Sequence, residues 1–162
     1  MEIKYSKYSK SVPIQIAKGK IAISIQRFNY APGDTISGNV ALTLKKPVKA
    51  REVSILLVGE QQITQEQYTE SRSIIFGHKK SRGTSTNTES VYEFKQQLDG
   101  EKEYSQGQEY YLFEIKIPAD ILDKEVQMTG AIQSFPAMWY LVAKLDIPGG
   151  LDISKRVQIT IG

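Results

Sequence analysis

Apolar and polar residues alternate with a period of two along most of the chain, the mark of half-buried strands, whose successive side chains point to opposite faces. Ile21, Ile23 and Ile25 share one face, opposite Ala22, Ser24 and Gln26. Ile36, Val40, Leu42 and Leu44 repeat the pattern against Thr35, Ser37, Asn39 and Thr43. Gly38 falls on the apolar side of that stripe, where a neighbouring backbone or large side chain is expected to approach closely. Val53, Ile55 and Leu57 form a third stripe, but Leu56 and Val58 make the opposite face apolar too, which predicts a central strand contacted on both sides. Further stripes run through Tyr111, Phe113, Ile115 and Ile117, through Trp139, Leu141, Ala143 and Leu145, and through Val157, Ile159 and Ile161. Pro32, Pro47, Pro118, Pro136 and Pro148 fall at strand edges, where a missing amide hydrogen is tolerated. Helical periodicity is nearly absent; residues 119–127, with Ile121, Leu122 and Val126 on one side, read equally as a short helix or a loop. Many short strands with Gly and Pro punctuation predict an all-β fold, an immunoglobulin-like antiparallel β-sandwich.

Two stretches depart from the alternation. Residues 77–90 open with His78, Lys79, Lys80 and Arg82 and continue in small polar residues with nothing to bury, which predicts a mobile hairpin tip or long loop. Residues 97–108, polar and holding Gly100 and Gly107, predict a second exposed connection. No linker or internal repeat interrupts the remainder, so residues 1–162 are expected to form one domain, a size at which a sizeable core is available.

Composition narrows the chemistry. Cysteine is absent, which excludes a disulfide framework, thiol catalysis and cysteine-ligated metal, and fits a cytoplasmic protein. The first residues are polar and basic where a signal peptide carries an apolar core, and the densest apolar run, residues 55–58, is too short to span a bilayer. The net charge of +3 is too mild to argue for nucleic acid. His78 is the only histidine and lies in a segment that would not orient it as a base, so no catalytic set, metal site or cofactor is expected. Basic residues crowd two places: Lys4, Lys7, Lys10, Lys18 and Lys20 at the amino end, and His78, Lys79, Lys80 and Arg82 in the polar segment. Either group can meet an anion, and lysine on an edge strand also blocks sheet-to-sheet association. Arg51 shares a face with Val53, Ile55 and Leu57 and needs an acid or open water; Asp146, Glu60 and Glu52 are the candidates.

Residues 30–44 pair a Pro32-Gly33-Asp34 turn with an alternating strand, and residues 49–60 form a strand led by Arg51 and ended by Gly59-Glu60. Together with the aromatic-led strand closed by proline at residues 113–118 and the Leu145-Asp146-Ile147-Pro148 pattern that ends residues 139–148, they resemble the amino-terminal domain of arrestin-fold proteins. That family includes arrestins, arrestin-domain adaptors, the arrestin-like subunit of retromer and bacterial sporulation-control proteins. The resemblance implies a β-sandwich of the arrestin amino-terminal type and a non-catalytic adaptor or scaffold that binds another protein, in trafficking or signalling. In arrestins, lysines near the first strand contact phosphates on the partner, and Lys18 and Lys20 hold the corresponding place. Peripheral membrane association through a partner, and self-association through sheet edges, are compatible with this reading. The alternative is a sandwich module for carbohydrate or polyanion; a row of exposed aromatics on one sheet face would favour carbohydrate, and an open apolar or main-chain-exposed edge a protein partner.

Overall fold

The structure, a computed structural model, describes residues 18–73, 77–127 and 132–162, and within them the side chains of all but residues 67–73 and 78–82. The described residues are nearly all strand: β1 Gly19–Ile25, β2 Asn29–Tyr30, β3 Thr35–Leu44, β4 Val48–Ala50, β5 Glu52–Ser73, β6 Gly77–Asp99, β7 Lys102–Tyr104, β8 Gly107–Lys116, β9 Ile132–Ser134, β10 Met138–Asp146 and β11 Ile153–Ile161. One sheet has the order β1-β3-β8, a larger one the order β2-β11-β10-β5-β6 with β9 on β5, and β4 pairs with β7. All pairings are antiparallel except β2 with β11, a parallel contact at Asn29 and Tyr30.

The two larger sheets face each other across one apolar core. Ile36, Val40 and Leu42 of β3 and Ile115 of β8 meet Val53, Ile55 and Leu57 of β5 and Leu141 and Leu145 of β10, each almost wholly removed from water. Complete burial of one such side chain is worth about 1.5–3 kcal/mol, so these stripes, not surface charge pairs, hold the sandwich together. Burial on β10 alternates residue by residue, as the sequence pattern requires. Ile23 and Ile25 are only half-buried because β1 lies at the edge of its sheet. Gly38 sits where expected: a Cβ there would lie 2.3 Å from the Ser24 carbonyl oxygen and 3.0 Å from the Phe113 ring. β5 is central, between β10 and β6, yet Leu56 and Val58 are only half-buried. Their face is shared with Val142 and Tyr140 on one side and with the charged Lys95 and Glu93 on the other.

Two segments depart from the expectation, and a third, open between helix and loop, is decided by the structure. Residues 77–90, expected as a loop, are the first part of β6 and pair with β5 from Ser73 opposite Gly77 to Glu60 opposite Ser90. A strand without apolar side chains still forms when a partner satisfies its main chain, and the β-branched Thr84, Thr86 and Thr88 suit it; the Thr64 and Thr86 hydroxyls lie 2.9 Å apart across the pair. The polar connection 97–108 holds β7, whose Tyr104 is fully buried and donates its phenol to the Gly100 carbonyl at 2.6 Å. In the stretch 119–127 only Ile121–Lys124 forms a 3-10 turn, anchored by the buried Ile121. The Gln61 side chain ties down the end of that stretch: its amide donates to the Val126 carbonyl at 2.9 Å and its oxygen accepts the Val126 amide at 2.7 Å.

Candidate functional site

The Pro32-Gly33-Asp34 motif forms a tight turn because Pro32 favours its first inner position and Gly33 takes the positive φ, +88°, of its second. The Asp34 amide donates to the Ala31 carbonyl at 3.0 Å, closing the turn, and the Asp34 carboxylate accepts the Ala31 amide at 2.9 Å and Arg27 at 3.3 Å. Two further bonds fasten the turn to the end of β8, Gly33 amide to Ile117 carbonyl at 3.0 Å and Ile117 amide to Asp34 carbonyl at 2.8 Å. The motif therefore sets where β3 and β8 meet.

Arg51 points to solvent and reaches Asp146 at 3.5 Å, while its amide donates to the Asp146 carbonyl at 2.8 Å. The other two acids open to it are engaged elsewhere, Glu52 by Lys95 and Glu60 by Arg156, each at 2.6 Å. With the arginine side chain 60% exposed, the ion pair contributes at most about 1 kcal/mol; the main-chain bond does more to fix the junction of β4 and β5 against the end of β10.

A third cluster joins β6, β7 and β8. The Tyr111 phenol lies 2.8 Å from Asp99 and 2.5 Å from Glu109, and Lys102 donates to Asp99 at 2.8 Å. Burial and then the two carboxylates push the Tyr111 phenol well above the ordinary tyrosine range. Burial, with Asp99 nearby, raises Tyr104 to about 12. Burial alone would raise Asp99, but hydrogen bonds from Lys102, Tyr111 and the Gly100 amide outweigh it and hold the carboxyl below its usual value. Each member is bound to another strand of the same corner, so the cluster is a structural tie. Among the described residues no group of three or more His, Asp or Glu side chains is placed to hold a metal.

One strand edge that stands open beside a cleft is that of β1. Among the described residues no strand pairs with its outer side, and β11, which faces it, is paired beyond β10 only at Thr160 and Ile161. Between β1 and the start of β11 lies a cleft of about 450 Å³, lined by Lys18, Lys20, Ala22, Leu151, Ser154 and Lys155 among others. Gly19 lets β1 start tightly against β3: its φ is +152°, and a Cβ would lie 2.3 Å from the Thr43 carbonyl oxygen. This puts Lys18 and Lys20 at the lip together with Lys155. None of the three has a carboxylate partner among the described residues, and Asp152 beside them is bound to Lys144 at 3.3 Å. Nothing local in the sequence links Lys155, on the last strand, to the lysines of the first.

The second basic group is elsewhere. His78, Lys79, Lys80 and Arg82 lie on β6, opposite Arg72, Ser71, Glu70 and Tyr68 of β5. Lys155 is tied through Ala143 to Ile55, so the register puts these positions at least 13 residues, on the order of 40 Å, further along β5 than the cleft. The two groups do not form one surface. Lys4, Lys7 and Lys10 lie outside the described residues. No helix among the described residues is long and apolar enough to cross a membrane.

Residues 19–128 match the family described as arrestin (or S-antigen), N-terminal domain. Among solved structures, 132 chains are similar. One is the crystal structure of Spo0M, the sporulation control protein from Bacillus subtilis, at 19% sequence identity and a TM-score of 0.52, covering 89% of this chain and 49% of that one. At that identity the likeness is one of fold, and the chain spans about half the length of that relative. No curated protein matches the sequence.

Proposed function

Because the chain belongs to the arrestin amino-terminal-domain family, we propose that it is a non-catalytic cytoplasmic adaptor or scaffold that takes an extended segment of another protein onto the free edge of β1. The open edge beside the cleft carries this reading: unpaired main-chain groups offer a ladder of hydrogen bonds, and the cleft offers room for alternate side chains of the bound segment. Convergence of Lys18, Lys20 and Lys155 supports a second form of the same docking, in which an anionic group on the segment supplies part of the affinity. Carbohydrate binding finds less support, since the aromatics exposed among the described residues, Phe28, Phe94, Tyr110 and Phe135, are scattered over separate elements and form no row on one face.

The test starts from a protein captured on the immobilised chain from native cytosol and identified by mass spectrometry. Its binding segment, made as a peptide, is titrated against wild type and the Lys18→Glu, Lys20→Glu double variant at two ionic strengths. Edge addition predicts nearly equal affinities in all four conditions and loss of binding when alternate peptide amides are N-methylated. Anion reading predicts a sharp loss in the double variant and at high salt. Binding that survives N-methylation removes the edge mode, and capture of a saturable glycan with no protein partner removes both.

A further inference from the structure

The small sheet has a second open edge, β8, and it is built differently from β1. Natural sheets blunt their edges with lysine, proline, bulges or short strands, because a long regular edge pairs with any strand that reaches it. β1 follows that rule, with Lys18 and Lys20 at its start. β8 does not: it is ten residues long, pairs with β3 without a bulge, and carries no lysine or proline between Gly107 and Ile115. Among the described residues no strand lies on its outer side. On the solvent face it shows two large apolar side chains in sequence, Tyr110 at 66% and Leu112 at 85% exposure, the latter the most exposed large hydrophobic residue among those described.

We propose that β8 is a dimerisation edge, pairing antiparallel with β8 of a second copy of this chain about Tyr111. The strand is complementary to itself in that register. Tyr110 of each copy lies opposite Leu112 of the other, so both exposed apolar residues are covered twice by one two-fold operation, an aromatic–aliphatic pairing that sheets favour. The charged residues meet no like charge, since Glu109 faces Phe113, Glu114 faces Gln108 and Lys116 faces Gln106 of the second copy. The two three-stranded sheets then fuse into one continuous sheet whose outermost strands are the two β1 edges, and the contact closes there instead of growing into a fibre. Each dimer keeps two free β1 edges and binds a bivalent partner more tightly than a monomer does.

Sedimentation equilibrium of the full chain over a concentration series tests this directly. A monomer–dimer equilibrium is expected for wild type, and Leu112→Lys, which places a charge at an exposed position, should raise the dimer dissociation constant at least about tenfold while leaving the circular dichroism spectrum unchanged. A wild type that stays monomeric at every concentration overturns the proposal, as does a dimer indifferent to Leu112→Lys. The chain has no cysteine, so register is read by oxidative cross-linking. Mixed Tyr110→Cys and Leu112→Cys proteins should give a disulfide-linked pair in higher yield than either alone, and equal yields from Leu112→Cys by itself would overturn the Tyr111-centred register.

Discussion

At the scale of single residues, the glycines divide by what a side chain would cost. Gly33 has open space around it, so Gly33→Val meets no clash and loses only the left-handed backbone that the turn requires. A destabilisation of about 1–3 kcal/mol is expected from denaturant melts, and an unchanged midpoint would remove the turn argument. Gly59 is the opposite case, with ordinary backbone but the Trp139 indole against it: a Cβ would lie 2.4 Å from the ring. Gly59→Ala should therefore cost about 1–3 kcal/mol through overpacking and shift the fluorescence of the single tryptophan, a shift that Gly33→Val should not produce. The first requirement is legible in Pro32-Gly33-Asp34 itself. The second is not, because Trp139 is brought to Gly59 by the pairing of β10 with β5.

Among the elements, the β5–β6 ribbon shows how far pairing outweighs composition. Its outer part, from Gln67 to the end of β5 and back to Gly83 on β6, adds main-chain bonds, and a two-stranded ribbon by itself is marginal in water. Joining Glu66 to Thr84, which lie opposite each other, through an Asn-Gly turn should change stability by less than about 1 kcal/mol. Loss of the folded state on this shortening would show that the ribbon is part of the sandwich's support. The corner of β6, β7 and β8 titrates instead. Tyr104 and Tyr111 have raised folded-state values, so their contribution is complete below the ordinary tyrosine value of 10 and is lost as pH rises toward 12 and beyond. Asp99 has a lowered value, so its contribution is present above the ordinary value near 3.8 and is lost as pH falls through the folded value. Melting temperatures measured from pH 9 to 12 should fall, and the fall should be shallower in Tyr104→Phe relative to its own value at neutral pH.

For the molecule as a whole, the buried residues of the two larger sheets, the β4–β7 pair and the 3-10 turn belong to one apolar cluster. A shared core of this kind predicts one cooperative transition, in which Trp139 fluorescence and far-ultraviolet circular dichroism report the same midpoint. Separate midpoints would mean that one sheet survives the other. Among the described residues the two open edges of the β1-β3-β8 sheet are then distinct features on one core: β1, flanked by lysines and a cleft, and β8, long, regular and apolar at its centre.

What the sequence determined by itself is whatever depends on neighbours along the chain. Alternation specified the core faces of β3, β5, β8 and β10, Pro32 and Gly33 specified the turn, and the motifs in both halves pointed to the arrestin family. Tertiary structure alone decided the rest, because each remaining feature joins residues distant in sequence. It selected Asp146 as the partner of Arg51, made a strand of residues 77–90, and buried Tyr104 in a polar connection. It also set Lys155 beside Lys18 and Lys20 while keeping the basic positions of β6 far from them. An antiparallel ladder satisfies backbone groups whatever side chains they carry, so which strands pair, and which edges stay open, follows from sheet order and not from local pattern.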